Sequence, residues 1–388
     1  MRVCWFFLWL CSLNTLAACP VWPLVIAHRG ASGEYPEHSA TAYWQAMVQG
    51  ADYIEADLVP SRDGVLISRH ENELSQSTNV AALPQFASRK VSKVVDGVQV
   101  TGWFSEDFSL AELRQLRLRE SKPDLRPASA RYNDQDGILT LAEVMELVLR
   151  FEQHSGRQVG LYLETKHPSY FLHEGRYLDG APIRRDISVL LLRQLGRWQQ
   201  QHHYPVYIQS FEITNLWWMR QQGLQQYQVN AQLVQLLGDI SGTALYPASN
   251  FAEPWDLRNS ANLMLLPPEA KALLQKNGFH YGDLLTPAGL QLLSQYADGI
   301  GPWKEQWFAQ QQPLLSHSQL KAHRLQLHPY TFRAETQFLP AGVPTLTAEL
   351  QQRYQQGVDG VFTDFTALAV QSRDATCGVK SMTNQRSH

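Results

Sequence analysis

The sequence carries no surplus of basic charge. Lys and Arg number 33 against 36 Asp and Glu, a formal net charge of −3 over 388 residues. With those cations scattered along the chain, the electrostatic footprint of a nucleic-acid binder is missing. Glycine (24) and proline (20) are not in excess either, which excludes collagen-like and disordered readings. The N-terminal apolar run, Val3 to Leu13 behind Arg2, falls short of the ~20 residues that span a bilayer. With Leu16-Ala17-Ala18 following it, it reads as a secretory signal over residues 1–18. Aromatics are plentiful, with 11 Trp, 15 Tyr and 15 Phe, enough for a large core and aromatic-lined pockets.

Cysteine is sparse. Cys4 and Cys11 leave with such a signal, so the mature chain holds Cys19 and Cys377 alone. Two fates compete for Cys19. Leu16-Ala17-Ala18-Cys19 resembles a lipoprotein box, whose cysteine is lipidated after cleavage. A fold that closes its first strand against its last would instead bring Cys19 to Cys377 for a disulfide in an oxidising compartment. The compartment expected is the periplasm or the exterior, with a membrane-anchored lipoprotein as the variant.

Short β-rich runs alternate with helical patterns. Strands are expected from Leu24 and from Tyr53, then at Val159–Leu163, Val206–Gln209, Asn230–Gln235, Gly299–Gly301, Leu325–His328 and Gly357–Thr363. Helices are expected at Ala40–Gln49 behind the N-cap Ser39, and at Ser109–Leu118, Thr140–Phe151, Asp186–Gln200 and Thr214–Gln222. This alternation implies a parallel sheet with right-handed crossovers, and eight strands close a (β/α)₈ TIM barrel. An open dinucleotide-binding sheet is disfavoured because no Gly-x-Gly-x-x-Gly turn follows the first strand. The surplus over a ~250-residue barrel is assigned to insertions at about 71–107 and 238–296. They follow strands two and five of one domain spanning 24–370, where they would overhang the active-site face.

Barrel chemistry sits at the C-terminal ends of strands. Strand one runs into His28-Arg29, and strand two carries Glu55 and Asp57 at i, i+2, on one face. Strand three ends with Glu164 and Lys166. Neighbouring buried carboxylates repel unless a cation compensates them, and an all-carboxylate set favours Ca²⁺ or Mg²⁺ over Zn²⁺. His28 and His70 flank this site as an acid–base pair suited to displacement at phosphorus. Arg29 and Lys166 supply charge for a phosphate.

In combination, His28-Arg29-Gly30, Pro36-Glu37, Glu55-x-Asp57, Asp63-Gly64-Val65 with His70, and Leu163-Glu164-x-Lys166 resemble the glycerophosphodiester phosphodiesterases. His328-Pro329-Tyr330-Thr331-Phe332-Arg333, Gly357 to Phe365, and Glu106 to Leu113 look like the bacterial periplasmic branch. The resemblance implies a metal-dependent barrel that hydrolyses glycerophosphodiesters to sn-glycerol 3-phosphate and an alcohol. It makes Glu55, Asp57 and Glu164 the ligands of one divalent ion, Ca²⁺ in preference to Mg²⁺, and His28 and His70 the catalytic pair. Arg29 and Lys166 become phosphate contacts, and Gln209, His328 and Tyr330 substrate contacts at the barrel mouth. One position departs from the pattern: His38-Ser39 stands where the family has Asn-Thr.

Two competing readings use the same residues. A barrel phospholipase, sphingomyelinase D-like or phosphatidylinositol phospholipase C-like, would act on intact lipid, but no basic amphipathic stretch announces a membrane surface. A non-catalytic extracytoplasmic binding protein would be expected to have lost a carboxylate or histidine, and none is missing. The nucleophile is either water or the neighbouring glycerol hydroxyl, the second passing through a cyclic phosphate.

Overall fold

The computed structural model describes residues 19–241, 251–276, 278 and 280–378, and the signal-peptide reading of residues 1–18 lies outside them. Eight parallel strands form the sheet: β1 (Leu24–Ala27), β2 (Tyr53–Pro60), β6 (Gly160–Thr165), β7 (Val206–Ser210), β8 (Gln232–Leu237), β9 (Gly299–Pro302), β10 (Gln326–Leu327) and β11 (Gly360–Thr363). Their order runs β10-β9-β8-β7-β6-β2-β1-β11. The chain after β10 carries the sheet round to β11 through Asp359 N→Leu327 O (3.0 Å), Phe362 N→Pro329 O (3.2 Å) and Phe332 N→Phe362 O (2.8 Å). A (β/α)₈ TIM barrel results, each crossover covering the strands from outside.

Strand periodicity sorts the side chains. On β2, Ile54, Ala56 and Leu58 point outward into the layer beneath the helices, together with Leu161, Leu163 and Ile208. Tyr53, Tyr162 and Tyr207 point inward with Ile26, Val234 and Phe362. Their rings meet at 4.8 to 6.1 Å and form an aromatic floor across the barrel. Because side chains alternate, the next inward positions on the same three strands are Glu55, Glu164 and Gln209, one step nearer the C-terminal end. The floor therefore carries the polar site on top of it.

The helix Ala40–Val48 starts at Ser39, whose hydroxyl accepts from Ala42 N. The helices Leu141–Ser155 and Ile187–Gln199 lie close to the expected ranges. One other is cut short: the stretch beginning at Ser109 is helical only over Leu110–Leu113, with Arg117 N taken by Asn79 Oδ1 and Leu118 N by Asp136 O. The expected Thr214–Gln222 is helical throughout, Ile213–Trp218 passing through a π-turn at Met219–Gly223 into Leu224–Gln226. The stretch 71–107, which shows no period at first reading, holds a hairpin of β4 (Val91–Val95) and β5 (Val98–Gly102). A further strand, β3 (Leu66–Ser68), pairs antiparallel with β2.

Cys19 and Cys377 are joined in a disulfide across a separation of 358 residues. It ties the segment before β1 to the end of the last helix, Thr366–Cys377. This bond occupies the thiol that a lipid anchor would need. No helix among the described residues is long and apolar enough to cross a membrane.

Candidate active site

At the end of β1 the backbone turns through two left-handed residues, Arg29 (φ 60°) and Gly30 (φ 86°). Gly30 is required there: a Cβ would lie 2.7 Å from the backbone carbon of Ala42. The turn delivers Arg29 N to Glu55 Oε2 at 3.1 Å. The Arg29 side chain then bridges Glu37 (3.1 Å) and Asp57 (3.3 Å).

Glu55, Asp57 and Glu164 are buried to within 4% exposure or less. Each offers one oxygen to a cluster whose atoms lie within 4.8 Å of one another. Lys166 Nζ sits 2.7 Å from Glu164, and Gln209 Nε2 donates to Glu55 (2.7 Å) and Glu164 (3.3 Å). Burial, with Asp57 and Glu164 close by, pushes Glu55 well above the usual carboxylate range. Burial likewise raises Glu164 to about 8 against the pull of Lys166. At Asp57 the burial effect is reversed by Lys166, His38 and Arg29, and the carboxyl is held well below its ordinary value. A cluster that resists sharing its negative charge is the donor set a hard divalent cation satisfies. Asp57 Oδ1 and Gln209 Oε1, both buried, accept no hydrogen bond from the protein, so these residues fit such an ion.

Each histidine is anchored through Nδ1. His28 Nδ1 lies 2.6 Å from Asp364 Oδ1, with Nε2 3.9 Å from Glu55. His70 Nδ1 lies 2.9 Å from Glu71 Oε1. A carboxylate only accepts, so in the neutral ring the proton is favoured on Nδ1 and Nε2 keeps the lone pair. Burial, reinforced by Arg29, lowers His28 to about 3. Burial with Arg29 and Lys166 lowers His70 to about 4. Asp364 also receives Arg126 and Arg333. His38, the departure from the family pattern, is wholly buried at φ 61°, a conformation Asn also tolerates. Its Nε2 reaches Asp57 (3.1 Å) and its Nδ1 meets Tyr43 Oη (2.8 Å), so it steadies the cluster from below.

These groups open into one cavity of about 610 Å³. His28, Arg29, Glu55, His70, Glu164, Lys166, Gln209 and Tyr330 all line it, and Asp57 lies behind Arg29. Val95, Val98 and Val100 of the β4–β5 hairpin line it, as does Phe251 from the stretch after β8. His328 does not belong with them. It has no exposed surface and its Nδ1 meets Tyr162 Oη at 2.9 Å. Its ring packs against Tyr162 and Tyr207 in the floor, so the expected substrate contact is corrected to an interior structural role.

Sequence reasoning missed the groups behind the histidines. Asp364 lies 336 residues from its partner, inside the Gly357 to Phe365 motif. Asp96, bonded to His167 at 2.6 Å, lay in a stretch read as aperiodic. Asp96-Gly97 between alternating valines was a usable hairpin signal.

Residues 28–244 match the glycerophosphoryl diester phosphodiesterase family model. A glycerophosphodiester phosphodiesterase of Arabidopsis thaliana is 32% identical over 89% of this chain and 84% of its own length. One from Treponema pallidum is 26% identical over 92% and 93%. Among solved structures, an Oleispira antarctica phosphodiesterase in complex with the product sn-glycerol 3-phosphate aligns at TM-score 0.52, with 19% identity, over 91% of this chain and 97% of that one. A Silicibacter pomeroyi protein, a putative glycerophosphoryl diester phosphodiesterase by its description, aligns at 0.55 with 16% identity over 93% and 96%. The barrel, the polar cluster at its C-terminal end and this likeness over nearly the whole described chain agree: the protein belongs to the glycerophosphodiester phosphodiesterase family of enzymes.

Proposed function

We propose that this enzyme hydrolyses glycerophosphodiesters, the deacylated form of phospholipids, to sn-glycerol 3-phosphate and an alcohol with one divalent metal ion, Ca²⁺ in preference to Mg²⁺. The observation that carries the reading is the shared cavity. Two of the three converging carboxylates, two cations and two carboxylate-anchored histidines line that one space, with Asp57 directly behind them. Glu55, Asp57 and Glu164 hold the ion, which when bound supplies positive charge for the phosphodiester oxygens. Arg29 and Lys166 bind the same oxygens and stabilise the charge that grows in the pentacoordinate transition state. One histidine, neutral, takes the proton of the nucleophile, water or the neighbouring glycerol hydroxyl, through Nε2, and the other, as the imidazolium, gives its Nε2 proton to the departing alkoxide. Gln209 holds Glu55 and Glu164 in place, and Tyr330 contacts substrate at the mouth. The product bound to the Oleispira antarctica protein supports the glycerol phosphate end of this assignment.

Secretion into the periplasm or the medium goes with this function, and the Cys19–Cys377 disulfide supports an oxidising compartment. The test is release of glycerol 3-phosphate from glycerophosphocholine before and after EDTA, with Ca²⁺ or Mg²⁺ added back. EDTA-sensitive release from the deacylated diester, and none from intact phospholipid vesicles, is the expected result. Turnover indifferent to EDTA, or confined to intact lipid, would overturn the reading.

A further inference from the structure

His28 and His70 are anchored in different ways. Asp364 is buried and gripped by two arginines. Glu71 has a side chain 42% exposed, and an exposed glutamate samples several rotamers unless something holds it. Behind it lies a buried pair: Glu71 Oε2 is 3.4 Å from His167 Nε2, an ion-pair contact and not a hydrogen bond, and His167 Nδ1 is hydrogen-bonded to Asp96 Oδ2 at 2.6 Å. The His167 and Asp96 side chains are 7% and 3% exposed.

Asp96 is the first residue of the β4–β5 turn, with Asp96 at φ 43° and Gly97 at φ 79°. An Asp-Gly hairpin tip ordinarily faces water. This one is docked against the barrel. A Cβ on Gly97 would lie 2.3 Å from Trp255 Cη2, and Trp255 Nε1 donates to Glu174. Midway along it, Lys93 is paired with Glu106 and Asp107. The tip is therefore a fixed point from which a side chain can act on the site.

We propose that Asp96 is a positioning residue for the hydrolysis, acting from the hairpin through His167 and Glu71 on His70. Asp96 holds His167, and His167 holds Glu71. Glu71 keeps the His70 proton on Nδ1 and so leaves Nε2 for proton transfer. The inserted hairpin is then a working part of the active site. This inference rests on the assignment of His70 as one of the acid–base pair. The charged groups acting on His70 are Arg29 and Lys166 from the strand ends, and Glu71 beside it.

The experiment compares kcat, KM and the pH profile of kcat/KM on glycerophosphocholine for Glu71→Ala, Asp96→Asn, their double variant and His70→Ala. His70→Ala should lose about 100-fold or more in kcat, and Glu71→Ala and Asp96→Asn about 10- to 100-fold with little change in KM. The double variant should be no slower than Glu71→Ala alone, since both act through one carboxylate. Removing Glu71 also removes a charge that stabilises the imidazolium, so one limb of the profile should move to lower pH while the other stays. A merely structural role would lower the rate at every pH and move neither limb. His167→Gln, which replaces the cation between the two carboxylates by a neutral amide, should repeat the Asp96→Asn loss and its non-additivity, and serves in its place if Asp96→Asn does not fold. Wild-type kcat in Asp96→Asn or His167→Gln, or losses that add to those of Glu71→Ala, would overturn the proposal. Wild-type turnover in His70→Ala would instead overturn the acid–base assignment, whatever Asp96 does.

Discussion

Replacing Asp364 by Asn tests the anchoring of His28 with almost no change of shape. The carboxylate is 2% exposed and accepts from His28 Nδ1 at 2.6 Å, from Arg333 Nε at 2.9 Å and from Arg126. An amide can meet only part of that demand. With its oxygen toward His28, its NH₂ faces two guanidinium groups, donor against donor. With its oxygen toward the arginines, its NH₂ faces His28 Nδ1, and the ring proton must move to Nε2. Two charge-assisted bonds at ~1.5–3 kcal/mol each outweigh one bond to a neutral ring, so the second orientation wins. His28 then presents the wrong tautomer. The expected loss in kcat is about 10² to 10⁴-fold, or ~3–5 kcal/mol of barrier. The fold should survive at reduced stability, since Arg126 keeps Glu335 (2.6 Å) and Ser32 O (2.9 Å).

The assay is product release from glycerophosphocholine beside a glycerophosphodiester with a nitrophenol leaving group, with circular dichroism to confirm folding. If His28 is the acid, the defect shrinks on the nitrophenyl diester, whose leaving group needs no proton. If His28 is the base, both substrates suffer alike. A folded Asp364→Asn variant within about threefold of wild-type kcat on glycerophosphocholine would refute the argument.

Reducing the Cys19–Cys377 disulfide should lower the denaturation midpoint without changing kcat, because it lies beyond the N-terminal end of β1, opposite the site. Loop-closure entropy over 358 residues caps its contribution at ~6 kcal/mol, and ~2–4 kcal/mol is the usual range; an unmoved midpoint under reductant would contradict this. At His167, burial lowers the pKa but Asp96 and Glu71 more than reverse it, to about 10 against an ordinary 6.5. A raised pKa stabilises fully below about 6.5, and that contribution is lost as pH rises toward about 10. The stability gap between wild type and His167→Gln should therefore close over that window in urea titrations, and a gap independent of pH would count against the ion pair. His328→Ala should cost about 2–4 kcal/mol of stability, from the cavity in the floor and the stranded Tyr162 hydroxyl. Its KM for the diester should stay within about twofold of wild type; a large rise in KM at unchanged melting temperature would return His328 to the substrate.

Much of the barrel was legible because its signals are local. Each strand is a short apolar run between turn residues, and the two-residue period by itself puts Glu55 with Asp57, and Glu164 with Lys166, on one face. Ser39 capped the first helix as its position required. Where local pattern competed with distant partners, it failed. The helix from Ser109 stops at Leu113 because Asn79 and Asp136 claim the amides that would have continued it. His328 looked like a rim residue beside Tyr330, and the two do share the inward face, but His328 lies one layer deeper, in the tyrosine floor, and only Tyr330 lines the cavity.

The sequence by itself determined the fold class and the chemistry-bearing side chains, since strand alternation, residue type and spacing of two are properties of adjacent residues. Only the tertiary structure decided what stands behind those side chains. Asp364 meets His28 across the closing seam of the barrel, and Asp96 meets His167 across an insertion. Cys19 reaches Cys377 only because the last strand lies beside the first. Such partners are set by the closure of the sheet and the docking of a hairpin, and no local period encodes a contact between residues 71 or 336 positions apart.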